Sequence, residues 1–370
     1  MTRYRQFDQR LARLRDKLRR RKIDALLITE PHNRRYLSGY TAADHGIGES
    51  SGVLLVPARG EPLLMTDSRF ILQAEQEVVG FTLLLYPRGM VHLLKKLLPD
   101  RNIKTLAFES SYILHATVLK LEKELAGQGV ELLPTCGLVE SMRMIKSDEE
   151  IAAIRKSVQR NEQVFALVYN TIEPGMTERE IALALELTMH ELGAERPSFD
   201  TIVAFGDNAA RPHAVPGDRI LKPGEMVLID MGLILDGYCS DMTRTFVAGR
   251  AGELFAERLR VVRKAQQAGI AAIRAGVTCQ AVDRAAREVI RKAGYGEFFG
   301  HALGHGVGLA VHEEPRLSSR SRRKLKPGMV VTVEPGIYLP DWGGIRLENM
   351  VVVRDEDCEV LNEDTTGLDI

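Results

Sequence analysis

Apolar side chains recur at Phe7, Leu11, Leu14, Leu18 and Ile23, the first steps being four, three and four residues. That spacing traces one stripe of a helix. Between the apolar positions sit Arg10, Arg13, Arg15, Lys17, Arg19, Arg20, Arg21 and Lys22. A basic amphipathic start could be a transit peptide or a nucleic-acid arm. Asp8 and Asp16 interrupt the stripe, and a buried-looking strand over 24–28 follows at once. We therefore expect the solvated face of the first helix of a folded domain.

Strand-like and helix-like segments then alternate to about residue 133. Short apolar runs over 51–56 and 62–65 flank the turn Ala58-Arg59-Gly60, and 104–108 is a further strand. Helical patterns cover 70–79, 93–98 and 111–125. This is α/β patterning, and the segment contains no ligand cluster and no phosphate loop. Ser147 with Glu150 and Thr177 with Glu180 have the capping-box spacing, which predicts helices from 147 to about 169 and from 177 to 190. Beyond 202, strand-like runs at 226–231, 329–333 and 350–353 carry the acids and histidines. The change of character divides the chain between about 130 and 145, into residues 1–135 and 136–370.

The chain has 370 residues, 45% apolar and 27% charged, a globular balance. Fifty basic residues cancel fifty acidic ones, so no global charge favours nucleic acid or an anionic membrane. Charges interrupt every apolar run well short of a membrane span, and the N-terminus lacks the apolar core of a signal peptide. Cys136, Cys239, Cys279 and Cys358 form no C-x-x-C pair, so neither a disulfide framework nor a zinc ribbon is indicated. A soluble, cytoplasmic, two-domain protein is expected, with no nucleic-acid or membrane partner.

Acids inside apolar strands change that bland picture, because an uncompensated buried carboxylate is costly. Asp230 ends the run Val227-Leu228-Ile229, and Asp241 follows after the hairpin signal Asp236-Gly237. Folding about that turn would bring the two acids together. His305 lies among Gly304, Gly306 and Gly308, Glu334 ends Val330-Val331-Thr332-Val333, and Glu348 precedes another apolar strand. Four carboxylates with one imidazole suit a pair of manganese, cobalt or iron-like cations better than a structural zinc. Taken singly, each residue has an ordinary structural reading as a turn or loop residue. A nucleotide loop at Gly304–Gly308 lacks the full glycine spacing and a following acidic ribose reader.

Four motifs together resemble the aminopeptidase P/prolidase branch of the pita-bread metallopeptidases: Asp230 and Asp241, the run from His301 to Glu313, Thr332-Val333-Glu334-Pro335-Gly336-Ile337-Tyr338, and Gly344-Ile345-Arg346-Leu347-Glu348. Asn33-Arg34-Arg35-Tyr36-Leu37-Ser38-Gly39-Tyr40 and Met142-Arg143-Met144-Ile145-Lys146-Ser147 are similar to the family's creatinase-like N-domain and its junction. The resemblance implies an α/β creatinase-like domain followed by an α+β pita-bread catalytic domain with two pseudo-symmetric halves.

By the same resemblance, Asp230, Asp241, His305, Glu334 and Glu348 would hold two divalent ions (Mn, Co or Zn, manganese favoured), Asp241 and Glu348 bridging them. A metal-bridging hydroxide would attack the carbonyl preceding proline, with Glu334 as proton shuttle. His213 and His312 would stabilise the oxyanion or position the leaving nitrogen, and His301 would lie close by and help to bind substrate. Arg346 would orient Glu348 and help to bind substrate. Arg316 matches an arginine of prolidases that forks the proline carboxylate, although similar bacterial aminopeptidases also carry Pro-Arg there. Expected substrates are Xaa-Pro dipeptides or longer peptides with proline second, and the expected assembly is a homodimer. In such a dimer Asp44 and His45 could touch the partner's substrate, while a plain surface loop is the simpler reading. Competing functions are a metal-free creatinase-like hydrolase, a non-enzymatic binding protein of the same fold, and a methionine aminopeptidase. The filled ligand positions oppose the first two, and the long N-domain opposes the third.

Overall fold

The computed structural model describes residues 2–363, and the chain divides into two units, one ending at Arg143 and the other starting at Met144. In the first unit the runs Ala25–Ile28, Val53–Pro57 and Leu63–Thr66 are buried at every position. Strands covered on both faces read as continuous apolar runs rather than alternating ones. They lie inside a six-stranded mixed sheet in the order Thr82–Leu85, Leu63–Thr66, Val53–Pro57, Ala25–Ile28, Thr105–Glu109, Glu131–Thr135. The two outermost strands were not anticipated, although both carry leucines, because so short an apolar run does not by itself distinguish strand from helix; as sheet edges neither has a fully buried residue. The first helix, Thr2–Arg20, buries Leu11, Leu14 and Leu18 and leaves most of its basic residues outside.

Two buried polar networks organise this unit. The Asn33 side chain donates to Glu109 and Glu140 at 2.7 and 2.8 Å, and Arg143 donates to Asn33 Oδ1 at 2.8 Å and to Glu30 at 3.1 Å. The short helix Glu140–Arg143 thus belongs to the first unit. The division between Arg143 and Met144 lies eight residues beyond residue 135, and the polar contacts that set it leave no trace in hydropathy. Elsewhere the fully buried Arg34 donates to the Ala42 carbonyl, Ser51 Oγ and Asp44 Oδ1 at 2.7, 2.7 and 2.9 Å. Asp44 also accepts from the Ser51 backbone at 2.8 Å. Its side chain is 2% exposed. Asp44 therefore pins its own loop from within rather than reaching outward, while His45 is exposed.

The second unit uses one arrangement twice. Helices Asp148–Tyr169 and Glu178–Glu191, both opened by the expected capping boxes, back the antiparallel strands Ile202–Phe205, Met226–Met231 and Met242–Val247. Helices Glu253–Ala271 and Cys279–Lys292 back an antiparallel sheet in the order Glu313–Leu317, Gly304–Gly306, Val330–Val333, Asn349–Val353, Cys358–Val360. An added hairpin pairs Gly336–Leu339 with Gly343–Arg346. Among the described residues no helix is long and apolar enough to cross a membrane.

Candidate active site

Asp236 and Gly237 both have positive φ, 52° and 83°, as a two-residue type I′ turn requires. The strands beyond it pair with Met231 opposite Met242 and Asp230 opposite Thr243. Asp241, one residue before Met242, thereby comes alongside Asp230. In the second half, a Cβ on Gly304 would overlap the Thr332 carbonyl, and one on Gly306 would overlap the Glu314 carbonyl. The glycines thus let three strands close tightly around His305, which sets its imidazole between the acids. His305 Nε2 lies 3.4 Å from Glu334 Oε1 and 3.6 Å from Asp241 Oδ2. Donor atoms of Asp241, His305 and Glu348 all lie within 4.8 Å of one another.

The remaining contacts orient these acids without satisfying them. Thr243 Oγ1 donates to Glu348 at 2.7 Å, Thr332 Oγ1 to Glu334 at 3.2 Å, and Arg346 Nη2 to Asp230 at 2.5 Å. Asp230 Oδ1 and Glu348 Oε1 stay buried with no hydrogen-bond partner among the described residues. Burial, and then repulsion from the neighbouring acids, holds the Asp241 and Glu348 carboxyls well above the usual range. Burial also pushes Glu334 up to about 8, with Asp230 adding to the rise. His305 goes the other way, down to about 4, through burial and the neighbouring His312. Its Nδ1–H donates to the Gly306 carbonyl at 3.1 Å, which fixes the tautomer and leaves the Nε2 lone pair facing two carboxylates. Lone pairs aimed at one another with orphaned oxygens beside them are relieved by protons on the carboxyls or by a cation between them, and oxygen donors plus one imidazole suit hard or borderline divalent ions.

These five residues form the floor of a cavity of about 490 Å³ that is also lined by His213, His301, His312, Arg316, Tyr338 and Arg346. His312 stands edge-on to His305, ring centroids 4.4 Å apart. Arg346 is 3% exposed and donates to Tyr338 Oη at 2.8 Å and to Thr243 Oγ1 at 3.0 Å. Tyr338 Oη in turn lies 2.9 Å from His301 Nε2, and His301 Nδ1 lies 2.8 Å from the Ala302 carbonyl. Because a carbonyl can only accept, Nδ1 carries the proton and Tyr338 donates to Nε2. Phe199 and Val215 supply an apolar side of the cavity.

Residues 152–355 match the model of metallopeptidase family M24, and residues 10–145 match the Creatinase/Prolidase N-terminal domain. The chain belongs to metallopeptidase family M24. An Xaa-Pro dipeptidase from Bacillus anthracis is 35% identical, with TM-score 0.90 over 97% of this chain and 98% of that one. An X-Pro aminopeptidase from Thermotoga maritima is 38% identical, with TM-score 0.84 over 92% and 96%. An uncharacterized peptidase of Bacillus subtilis is 36% identical over 94% of this chain and 95% of its own length.

Within this M24 fold all ten residues singled out for the site line one cavity. Two of them differ in their contacts from expectation. Arg346 pairs with Asp230, not with the Glu348 carboxylate, and its guanidinium is engaged inside the protein rather than offered to substrate. Both ring nitrogens of His301 are likewise taken. Sequence reasoning assigned no role to Tyr338, Thr243 or Thr332, which connect the charged groups. The only signal for Thr332 and Tyr338 was a hydroxyl in an otherwise apolar strand, and Thr243 had none, since Arg244 and Thr245 share its strand.

Proposed function

We propose that this M24 member is an Xaa-Pro peptidase carrying two divalent cations, manganese favoured, held by Asp230, Asp241, His305, Glu334 and Glu348. One observation carries the reading: four acids and a neutral imidazole converge in a cavity with two carboxylate oxygens orphaned. The solved relatives named Xaa-Pro dipeptidase and X-Pro aminopeptidase support the proline specificity, and Phe199 with Val215 suits the flank of a pyrrolidine ring. When bound, the ions activate a water and polarise the carbonyl that precedes proline. Glu334 is the group that carries the proton from that water to the leaving nitrogen. His213 and His312, both exposed to the cavity, donate hydrogen bonds to the developing oxyanion or to the departing nitrogen. Arg346 and Tyr338 hold Asp230 and His301 in position, and Arg316 forks the carboxylate of a C-terminal proline. All four cysteines are free, which suits a cytoplasmic enzyme. We expect it to act as a homodimer, which light scattering would test.

The test is a metal-titrated assay of Ala-Pro, Ala-Pro-Ala and Ala-Ala-Ala. Manganese-dependent cleavage confined to the proline peptides is expected, and equal cleavage of Ala-Ala-Ala would overturn the specificity. Arg316→Ala should lower kcat/KM on Ala-Pro by about ten- to a hundredfold, the size of a lost charged hydrogen bond. Ala-Pro-Ala should lose much less. Equal losses on both would assign Arg316 to packing.

A further inference from the structure

A second cavity, of about 400 Å³, opens beside the catalytic one and shares His301, Ala302 and Arg316 with it. Its other walls are Arg287, Gly300 and the segment Ser318-Ser319-Arg320. The chain from Arg316 to Lys326 holds six basic residues and no acid. Not all of that charge is available. Arg287 is consumed by Asp283, to which it makes a two-pronged pair at 2.8 and 2.9 Å, and by the Phe299 and His301 carbonyls. Arg323 faces Glu314 at 3.4 Å. Arg316 and Arg320 have no hydrogen-bond or ion-pair partner among the described residues, and both are exposed. The segment that carries Arg320 is nonetheless held in place. Gln280 donates from its side chain to the Ser319 carbonyl at 2.7 Å and from its backbone to Ser321 at 2.9 Å, and the Cys279 backbone donates to Arg323 at 2.9 Å. Two unpaired guanidinium groups, one on the strand Glu313–Leu317 and one on the tethered segment beyond it, therefore line a cavity adjoining the catalytic one along His301, Ala302 and Arg316.

Charge decides which end of a peptide enters this cavity. The N-terminal ammonium is repelled by arginines and drawn to the acids of the catalytic floor. A carboxylate is drawn the other way. We propose that the Arg316–Arg320 cavity is a leaving-side subsite for a carboxylate on the residue after proline, with Arg320 the specificity-determining group. The inference rests on the Xaa-Pro reading and narrows it: acidic Xaa-Pro-Yaa peptides become the preferred substrate class. Arg316 reaches the carboxylate of a terminal proline, and Arg320 reaches one residue farther.

The manganese-loaded enzyme and its Arg320→Gln variant are assayed on Ala-Pro-Glu amide and Ala-Pro-Gln amide, which differ by a single side-chain charge. Binding of the product dipeptides Pro-Glu and Pro-Gln, both amidated, is measured in parallel by calorimetry and needs no turnover. For the wild type we expect kcat/KM and affinity to favour Glu over Gln by about fivefold, the upper range of an exposed charge pair, and to fall toward unity in about 0.5 M KCl. In Arg320→Gln the preference should fall to within about twofold of unity. A wild-type ratio near one, or a preference that survives the variant, overturns the subsite. If a short oligonucleotide binds the arginines and Pro-Glu amide does not, the charge serves a polyanion and the proposal also fails. Failure of the Xaa-Pro reading looks different: Ala-Ala-Glu amide would be cleaved as fast as Ala-Pro-Glu amide, while the charge preference could persist.

Discussion

Asp241→Asn separates a metal bridge from a structural acid, because the two roles predict opposite signs in the metal-free protein. The variant keeps the shape of a side chain that is 6% exposed and removes its charge. Donor atoms of Asp241 and Glu348 lie within 4.8 Å. At an effective dielectric of about 20, two unit charges at that separation repel by about 3.5 kcal/mol. The metal-free protein escapes part of this by keeping protons, which is why the carboxyls are pushed up. Relief of roughly half the repulsion should raise the melting temperature of the metal-free variant by about 3–8 °C, at about 2–4 °C per kcal/mol for a unit of this size. Metal acts in the opposite sense. Each ion at a hundredfold excess over its Kd adds about 2.7 kcal/mol to the wild type, whereas the variant loses its bridging ligand. Differential scanning calorimetry with and without manganese, together with elemental analysis, reads both effects. The expected variant is more stable without metal, less stabilised by it, and inactive. Two ions per chain with the wild-type melting shift, or a less stable metal-free variant, would refute the bridge.

Further outcomes follow from the same contacts. His213→Ala and His312→Ala should each lower kcat about a hundredfold with metal content near that of the wild type; loss of metal in elemental analysis would make the residue a ligand. Tyr338→Phe removes the donor to His301 Nε2 and an acceptor of Arg346, and should lower activity about tenfold or more with metal retained. Glu334, at about 8 without metal, stands above its ordinary 4.5. The folded metal-free chain therefore binds more protons there than the unfolded chain, and its stability should fall as pH rises from about 4.5 to about 8. At pH 7 manganese must displace that proton, so calorimetry in two buffers of different ionisation enthalpy should register proton release, and its absence would count against Glu334 as a ligand. Arg34→Met strips the buried partner of Asp44 and the donors to Ala42 and Gly52. A loss of about 3–5 kcal/mol is expected for breaking a buried pair, seen as faster proteolysis within residues 41–52; unchanged proteolysis would refute the anchoring.

The local order of the chain was set by its own residues. Ser147 with Glu150 and Thr177 with Glu180 start helices because the cap satisfies orphaned backbone groups within one turn, and that needs no distant partner. Asp236-Gly237 makes its hairpin for the same reason: positive φ is available there whatever the surroundings. Motif resemblance also identified the residues lining the site, although Asp230 and Glu348 are 118 positions apart. Partner choice could not be read this way. That Arg346 holds Asp230 and Tyr338, that Asp44 turns inward to Arg34, and that Glu140–Arg143 joins the first unit all depend on contacts between segments remote in sequence. The edge strands Thr82–Leu85 and Glu131–Thr135 were missed although each carries leucines, because runs this short read equally as helix or strand and only pairing with the neighbouring strands decides between them. A side chain's periodicity reports whether it is buried. Its partner is decided only when the fold removes water and leaves each buried charge to the nearest complementary group.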